Sequence, residues 1–223
     1  RLDLVVGTVG LNEGRVNTLS TSSQAAAAFS LVGSGLDATQ AQWTSVIAPE
    51  AVVAASLNAK SLYMGLGAGS FSRGADPAVG YARLQTSDGA HAETLTVMHN
   101  GGVFADTITV DSFAQGIHGR TRIYGELAAN RGDLSLNTDG VISINGRLSA
   151  AADLSLRTNA SGNSANIAAA DLQLLDGSIT AGGHLVVDAT SGSMVFNGGQ
   201  IYSFNDLSFS GVTFVDEGTV NPA

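Results

Sequence analysis

The chain of 223 residues contains no cysteine, only three prolines and one tryptophan. The lack of cysteine excludes disulfide bonds and thiolate metal sites. Basic residues are also few, because ten Lys and Arg stand against 19 Asp and Glu, which gives a net charge of −9 and a pI near 4.6. Phosphate binding requires clustered Lys and Arg, so this charge balance argues against a nucleic-acid partner.

Long apolar runs are missing as well, and none approaches the roughly 18 residues of a membrane-spanning helix. Charged residues make up 13 % of the chain, yet 44 % of the residues are hydrophobic and the mean hydropathy is +0.19. The chain can therefore bury a core and does not have the composition of a disordered segment. Glycine is frequent, with 28 residues, and helical patterns are scarce, which indicates an all-β protein.

A pattern that returns about every twenty residues dominates the second half of the chain. Its first marker is a pair of apolar residues separated by one residue, found at Leu134/Leu136, Leu154/Leu156, Leu185/Val187 and Leu207/Phe209. Its second marker is a turn glycine before a branched aliphatic residue, found at Gly146, Gly177 and Gly198. The pairs are spaced by 20, 31 and 22 residues and the glycines by 31 and 21. Both series lengthen at the same place, which predicts one repeat with an insertion at 157–169.

Short strands of period two between Gly, Asn and Asp turns, repeated at this interval, predict a parallel β-solenoid of about 20 residues per coil. Residues two apart on a strand share a face, so we expect one internal ladder of Leu134, Leu154, Leu185 and Leu207. The first half has the same strand chemistry with a less regular period. We expect residues 65–80 and 111–122 to be loops or extra-helical insertions on one continuous solenoid.

A family resemblance rests on motifs that follow one another in the first half. Residues 31–38 (LVGSGLDA), 43–48 (WTSVIA) and 52–62 (VVAASLNAKSL) look like consecutive motifs of two-partner secretion exoproteins. Asn17-Thr18-Leu19-Ser20-Thr21 is similar to an earlier motif of that family, although Gly7-Thr8-Val9-Gly10 stands where the family has Asn-Pro-Asn-Gly. The repeats from Arg131 onward resemble those of filamentous haemagglutinin and of contact-dependent growth inhibition proteins.

The resemblance implies a right-handed parallel β-helix that is exported through a dedicated outer-membrane transporter barrel. Residues 1–125 would be the carboxy-terminal part of the secretion domain, and residues 126–223 would be haemagglutinin repeats that begin a shaft. Asn17 and Thr18 are the candidates for transporter recognition, while Gly7–Gly10 is expected only to form a turn. Because the chain starts at Arg1 without a leader, we expect a fragment or a processed product.

The resemblance further implies a secreted or cell-surface bacterial protein, which suits a chain without cysteine. It would act as an adhesin or as the shaft of a growth-inhibition toxin, and the sequence does not decide between these two. A host or bacterial receptor would be contacted through regions beyond this chain. We expect a monomer without a cofactor. A third interpretation of the function is a purely structural surface fibre.

Two tripeptides carry possible surface functions. Arg131-Gly132-Asp133 is an adhesive tripeptide of the kind that integrins bind, but it stands where a coil opens, so a structural corner is the favoured interpretation. Asn159-Ala160-Ser161 is a glycosylation sequon in the predicted insertion, and such tripeptides often arise by chance. His91, His99, His118 and His184 lack metal-ligand spacing, so no metal site is predicted.

An enzyme acting on polysaccharide is the main rival interpretation. Hydrolysis of a glycosidic bond needs two carboxylates close together. Asp133, Asp153 and Asp206 all precede an apolar pair, where His184 takes the same place in the remaining coil. Such residues are expected to be corner residues that bond their own backbone. No basic cluster that would bind an acidic sugar accompanies them, so we predict a non-enzymatic protein. The aromatic group Tyr202, Phe204, Phe209 and Phe214 is expected to stack in the core.

Overall fold

The computed structural model describes residues 2–5, 9–12, 15–18, 28–48, 50–67, 69–71, 79–81, 91–113, 118–158, 172–175, 177–216 and 219–222. In this part of the chain every regular element is a β-strand, and no helix is found that could cross a membrane. The strands of the first half are β1 Leu2–Val5, β2 Val9–Asn12, β3 Arg15–Thr18, β4 Ala28–Leu31, β5 Leu36–Ala38, β6 Thr44–Ala48, β7 Glu50–Val53, β8 Ser56–Ala59, β9 Ser61–Gly67, β10 Gly69–Phe71, β11 Val79–Tyr81, β12 His91–Val97, β13 Gly102–Ala105 and β14 Thr107–Phe113. Those of the second half are β15 His118–Ile123, β16 Glu126–Ala129, β17 Leu134–Thr138, β18 Val141–Ile144, β19 Arg147–Ala150, β20 Leu154–Thr158, β21 Leu172–Leu175, β22 Ser178–Ala181, β23 Leu185–Asn197, β24 Gln200–Ser203, β25 Leu207–Asp216 and β26 Thr219–Pro222.

Apart from the antiparallel pairs β2–β3 and β10–β11, parallel pairing arranges the strands into three faces, which the chain visits in the same order in every coil. Face 1 contains β4, β7, β12, β15, β18, β21 and the ends of the long strands β23 and β25, with β2 and β3 beside β4. Face 2 contains β5, β8, β13, β16, β19, β22, β24 and β26. Face 3 contains β1, β6, β9, β14, β17, β20 and the starts of β23 and β25. Parallel strands joined by such crossovers are right-handed almost without exception, and the chain is a right-handed parallel β-helix.

The predicted leucine ladder runs along the inside of face 3. Register partners on its successive strands are Leu134, Leu154, Leu185 and Leu207. The first three are fully buried, and Leu207 packs against the core from a partly buried position. Leu62 and Ile108 continue the same row toward the amino terminus. The interval between apolar pairs in the sequence is thus the length of one coil.

Side chains between the ladder positions face outward, as the alternation predicts. Ser135, Ser155 and Val186 are register partners on face 3 and are half-buried, while Ser208 on the next strand is exposed. A shift of the strand pairing by one residue would turn this row of side chains inward and the leucines outward. The register is therefore fixed by the apolar pattern itself.

Small residues close the corner between faces 2 and 3. Each face-2 strand from β5 to β22 ends on a buried alanine, and these are Ala38, Ala59, Ala105, Ala129, Ala150 and Ala181. In the next coil Ser203 takes this position, and its hydroxyl donates a 3.0 Å hydrogen bond to the Gly183 carbonyl. A larger side chain here would collide with its neighbours in a narrow coil. The alanines of the repeat are accordingly packing residues.

A buried polar group interrupts the apolar interior between faces 1 and 3. The Ser112 hydroxyl donates to Thr94 Oγ1 at 2.5 Å and accepts from Thr121 Oγ1 at 3.4 Å, and all three residues are fully buried. Thr94 is the extra residue of a bulge in β12, which lets a threonine turn inward beside Leu95. The three hydroxyls satisfy one another, so their burial does not leave a lost hydrogen bond.

Two expectations about irregular segments are corrected. Residues 111–122 were expected to be a loop or insertion, yet 111–113 lie in β14 and 118–122 in β15, both within the faces of the helix. The inward residues described there, Ser112 and Thr121, are polar, so the segment does not show an apolar pattern. Residues 65–80 fit the expectation only in part, because 65–67 end β9 while β10 and β11 form a separate antiparallel pair.

The insertion predicted at 157–169 begins later than expected. Arg157 and Thr158 still belong to β20, and residues 159–171 lie outside the described part of the chain. The register nevertheless joins Leu154 directly to Leu185, so this coil does contain the additional residues. Near residue 125 the faces continue without interruption, since β16 pairs with β13 and β17 with β14. The two-domain division at this position stays a prediction.

The prediction that the aromatic group near residue 204 stacks in the core is confirmed for Phe209 and wrong for Tyr202 and Phe204. Phe204 is 59 % exposed at a corner, and the half-buried Tyr202 meets it edge-on with ring centroids 5.0 Å apart. Tyr202 occupies an outward position of β24, because the inward positions belong to Ile201 and Ser203. Phe209 packs against the core, and the side chain of Phe214 lies outside the described residues.

We expect Leu154→Ala to lower the free energy of unfolding by about 2–5 kcal/mol, since it leaves a cavity between two leucines of the ladder. Ser155→Ala is the matched control on the outer side of the same strand. It removes one 3.0 Å hydroxyl contact with Ser135 and should cost about 1 kcal/mol or less. Urea titration of both variants gives the comparison, and equal losses would contradict the inward and outward assignment.

Candidate functional site

A column of polar side chains, here called the corner column, follows the corner between faces 2 and 3. Its members are Asp133, Asp153, His184 and Asp206. Asp133 Oδ1 accepts a 3.1 Å hydrogen bond from the Asp153 backbone N–H, and Asp153 Oδ1 accepts one of 2.8 Å from the His184 N–H. His184 Nδ1 lies 3.4 Å from Asp206 Oδ2 at the next coil. Each side chain thus contacts the coil that follows, and the column links four coils along the helix axis.

This arrangement corrects the expectation that Asp133 and Asp153 bond their own backbone. Their acceptors reach the backbone of the next coil, where the N–H groups of the turn would otherwise face solvent. The carbonyls at the same positions also bond along the axis, because Leu134 N–H donates to Asp153 O and Leu154 N–H donates to His184 O. The equivalence of Asp133 and Asp153 in the repeat is therefore explained by coil stacking.

Arg131-Gly132-Asp133 forms part of this corner. Gly132 N–H donates to the Asp106 carbonyl at 2.8 Å, and a β-carbon on Gly132 would come within 2.8 Å of the Thr107 methyl. The exposed Arg131 Nε lies 3.5 Å from Asp106 Oδ1. All three residues have structural contacts with a neighbouring coil. An adhesive role for this tripeptide stays a prediction.

Glycines form the corner between faces 1 and 2. A β-carbon on Gly125 would lie 2.1 Å from the Gly101 oxygen, and one on Gly146 would lie 1.9 Å from the Gly125 oxygen. These carbonyls accept the first N–H of the following coil's face-2 strand, as Gly125 O does from Arg147 at 2.9 Å. The close approach of one backbone to the next is the reason that glycine recurs at this turn.

The turn glycine of the later coil differs by one residue from the predicted one. Ser178 pairs with Gln200, which makes Gly199 the equivalent of Gly177 in place of Gly198. Both Gly198 and Gly199 have positive φ, at 76° and 79°. This coil turns through two left-handed glycines, which explains the double glycine in the sequence.

A groove of about 820 Å³ lies along this glycine corner, outside the helix. Its floor is formed by the corner glycines, and its side is formed by the first outward residue of successive face-2 strands. That row, in register order, consists of Ser56, Gly102, Glu126, Arg147, Ser178 and Gln200. The row is polar apart from Gly102, and one end of the groove is lined by three rings.

The rings belong to His99, Tyr124 and Phe104. The His99 and Tyr124 rings are tilted by 40° with centroids 5.0 Å apart, and a β-carbon on Gly102 would meet Phe104 Cε2 at 2.5 Å. Sequence reasoning missed this groove, because its residues are separated by a whole coil or more. Only alignment of the coils on their turn glycines could have brought them together.

A second outward cluster that the sequence did not predict lies on face 3. Asp111 Oδ2 accepts from the Tyr63 hydroxyl at 3.0 Å, and its Oδ1 accepts from Asn137 Nδ2 at 2.9 Å. The cluster joins three coils by side-chain hydrogen bonds. Its carboxylate oxygens each have a donor, so the cluster is explained by coil stacking, as the corner column is.

The motif at residues 31–38 also has a local explanation. Gly35 has a φ of 89°, and a β-carbon there would lie 2.4 Å from the Ser56 oxygen. Asp37 Oδ1 accepts from the Thr39 hydroxyl at 2.6 Å and from the Thr39 N–H at 2.9 Å. These two bonds, the hydroxyl first, hold the pKa of Asp37 below its usual value. The glycine and the aspartate are thus required by the turn.

The side chains of the remaining predicted site residues lie outside the described part of the chain. Asn17 and Thr18 end β3, which pairs antiparallel with β2 through Gly10 and Val9, and their side chains lie outside the described residues. The turn expected at Gly7–Gly10 is wrong for Val9 and Gly10, which begin β2. The sequon at 159–161 and the side chains of His91 and His118 also lie outside.

Among the described residues no group of three or more His, Asp and Glu side chains could hold a metal ion. No protein-family model, curated protein or solved structure matches the chain. The resemblance to two-partner secretion exoproteins therefore rests on the sequence motifs alone.

We expect Asp153→Ala to lower the free energy of unfolding by about 1 kcal/mol, because the His184 N–H loses its acceptor in a solvent-exposed corner. Asp153→Asn keeps an oxygen at that position and should stay close to the parent protein. Asp206→Ala is the control, since that side chain is 92 % exposed and its pairing with His184 should contribute little. Denaturant titration that found Ala and Asn equivalent at position 153 would argue against the corner column.

Proposed function

We propose that this chain is a segment of a secreted bacterial exoprotein of the two-partner secretion type. In this proposal residues 1–125 end the secretion domain that an outer-membrane transporter barrel recognises, and residues 126–223 begin the shaft of an adhesin or growth-inhibition toxin. The shaft holds a receptor-binding or toxic region of the whole protein away from the cell. Its role is mechanical, without a cofactor or a chemical step.

The observation that carries the proposal is the unbroken register of face 2. Its eight strands follow one another in a single parallel series from β5 to β26, and each strand pairs only with those of the neighbouring coils. Each coil of such a solenoid contacts only its neighbours, so the stacked coils form a rod that can transmit mechanical force along its axis. An adhesin shaft and a toxin shaft both need such a rod, so the observation supports both.

Export in an unfolded state is compatible with the same architecture. Each new coil finds a complete template in the previous one, including the open backbone groups of three strands, the corner glycine carbonyls and the carboxylates of corner aspartates. Folding can then proceed coil by coil as the chain emerges, driven by burial and hydrogen bonding and without nucleotide. The absence of cysteine removes any need for oxidation during this process.

The non-enzymatic part of the proposal is supported by the carboxylates that a glycosidase would need. Asp133 and Asp153 each use one carboxylate oxygen to accept a backbone N–H of the next coil. Both lie exposed at the corner between faces 2 and 3, whereas the groove follows the corner between faces 1 and 2. Among the described residues, Glu126 is the one carboxylate that lines the groove. Acid and base catalysis on a glycosidic bond uses two.

Export by the source bacterium tests the proposal. Inactivation of the outer-membrane transporter that this proposal requires should move the full-length protein from the medium or cell surface to the periplasm, as measured by fractionation and immunoblotting. A periplasmic marker protein serves as the control for leakage. Unchanged export without the transporter, or retention in the cytosol of the parent strain, would contradict the proposal.

The same assay locates recognition within the secretion domain. Asn17→Ala and Thr18→Ala should reduce export, whereas Asn205→Ala changes an exposed asparagine of the shaft and should leave export unchanged. Unchanged export of both Asn17→Ala and Thr18→Ala, or an equal loss of export for Asn205→Ala, would contradict the assignment of recognition to the amino-terminal strands.

A further inference from the structure

The groove between faces 1 and 2 has the shape and chemistry of a binding site, and nothing in the shaft's mechanical role requires it. We propose that this groove binds an uncharged, linear oligosaccharide that lies along the helix axis. The inference goes beyond the proposed function, because a shaft without any ligand would serve that function equally well. It rests on the groove's direction, its charge and its rings.

The direction of the groove favours a chain over a compact ligand. Its polar row runs through six coils from Ser56 to Gln200 in strict register. With about 4.8 Å between neighbouring coils, the row is about 24 Å long. One sugar ring and its glycosidic bond advance by about the same step as one coil. A linear glycan can therefore place about one sugar residue beside each coil.

The charge of the groove favours a neutral chain. Glu126 and Arg147 are adjacent in the row, and Arg147 Nη1 lies 3.8 Å from Glu126 Oε1. This pair cancels its own charge, and the other polar side chains of the row are hydroxyl and amide groups. An anionic polymer would need a row of cations, and the chain as a whole is acidic with a net charge of −9. Mixed donors and acceptors without net charge match sugar hydroxyls.

The rings at one end supply an apolar surface for the faces of sugar rings. Tyr124 is half-buried with its ring against His99, and Phe104 is half-buried over the backbone of Gly102. Ring faces that are partly exposed beside polar side chains are usual in ligand sites, where the polar groups fix orientation. An extended peptide is less suited to the groove, because it would add to a strand edge and the groove crosses the strands.

The floor of the groove is already ordered before any ligand binds. The carbonyls of Gly101, Gly125 and Gly146 accept backbone N–H groups from the next coil at 3.2, 2.9 and 2.9 Å. The row of side chains is therefore spaced by the backbone of the helix and not by a loop. Such preorganisation reduces the entropy lost on binding.

Isothermal titration with four neutral hexasaccharides tests the proposal, namely the β-1,4-linked hexamers of glucose, mannose and xylose and the α-1,4-linked hexamer of glucose. At least one should bind the intact chain, and its trisaccharide should bind at least about tenfold more weakly, because it contacts fewer coils. Tyr124→Ala should weaken hexasaccharide binding by about tenfold, the range expected for loss of one aromatic contact. Tyr202→Ala is the matched control, because this half-buried tyrosine lies on face 2 outside the groove.

Unfolding midpoints of both variants establish that each is folded before its affinity is compared. Absence of binding by all four hexasaccharides would overturn the proposal, as would equal loss of affinity in the two variants. Preferential binding of sulfated heparin fragments with steep salt dependence would overturn the assignment to a neutral ligand. Cleavage of a bound hexasaccharide would support the groove and contradict the non-enzymatic part of the proposed function. Binding without transporter-dependent export would support the groove alone.

Discussion

Each coil of this chain buries its apolar side chains by stacking on the coil before it and the coil after it, and the rest of the structure depends on that stacking. Leu134, Leu154 and Leu185 are fully buried because they lie one above another in exact-register parallel strands. No disulfide can add to the stability that stacking provides, since the chain has no cysteine. A coil taken alone would expose all of its leucines, so the stability of any coil depends on its neighbours.

The corners show how stacking also determines composition. At the corner between faces 1 and 2, a backbone carbonyl lies so close to Gly125 and Gly146 that no side chain fits. At the corner between faces 2 and 3, the carboxylates of Asp133 and Asp153 receive the N–H groups of the following coil. Glycine and aspartate therefore recur for structural reasons, and the recurrence by itself carries no sign of catalysis. The outward rows are free to differ from coil to coil, and it is there that the groove has acquired its rings and its ion pair.

The fold could be predicted from the sequence where inward residues are apolar and coils are equal in length. Those conditions hold from Leu134 to Leu207, where alternation and period agree. They fail around Ser112 and Thr121, whose buried hydroxyls satisfy each other across two faces, a contact that hydropathy cannot reveal. The candidate groove was beyond reach for another reason, since its side chains come together only after coils of unequal length are aligned. Phe204 was misplaced because aromatic character indicates burial less reliably at a corner than within a strand.

The natural absence of cysteine makes a direct test of coil stacking possible. Ser135 and Ser155 are register partners, about 4.8 Å apart across neighbouring strands, which is within the range that a disulfide can bridge. Val186 is the partner of Ser155, and so it lies two coils from Ser135, at about twice that distance and too far for a bridge. After mild oxidation, the doubly substituted chain Ser135→Cys/Ser155→Cys should form an intramolecular disulfide, detected by mass spectrometry of its peptides, and Ser135→Cys/Val186→Cys should not. Bridging of the second pair, or failure of the first in a folded chain, would contradict the parallel stacking on which the account depends.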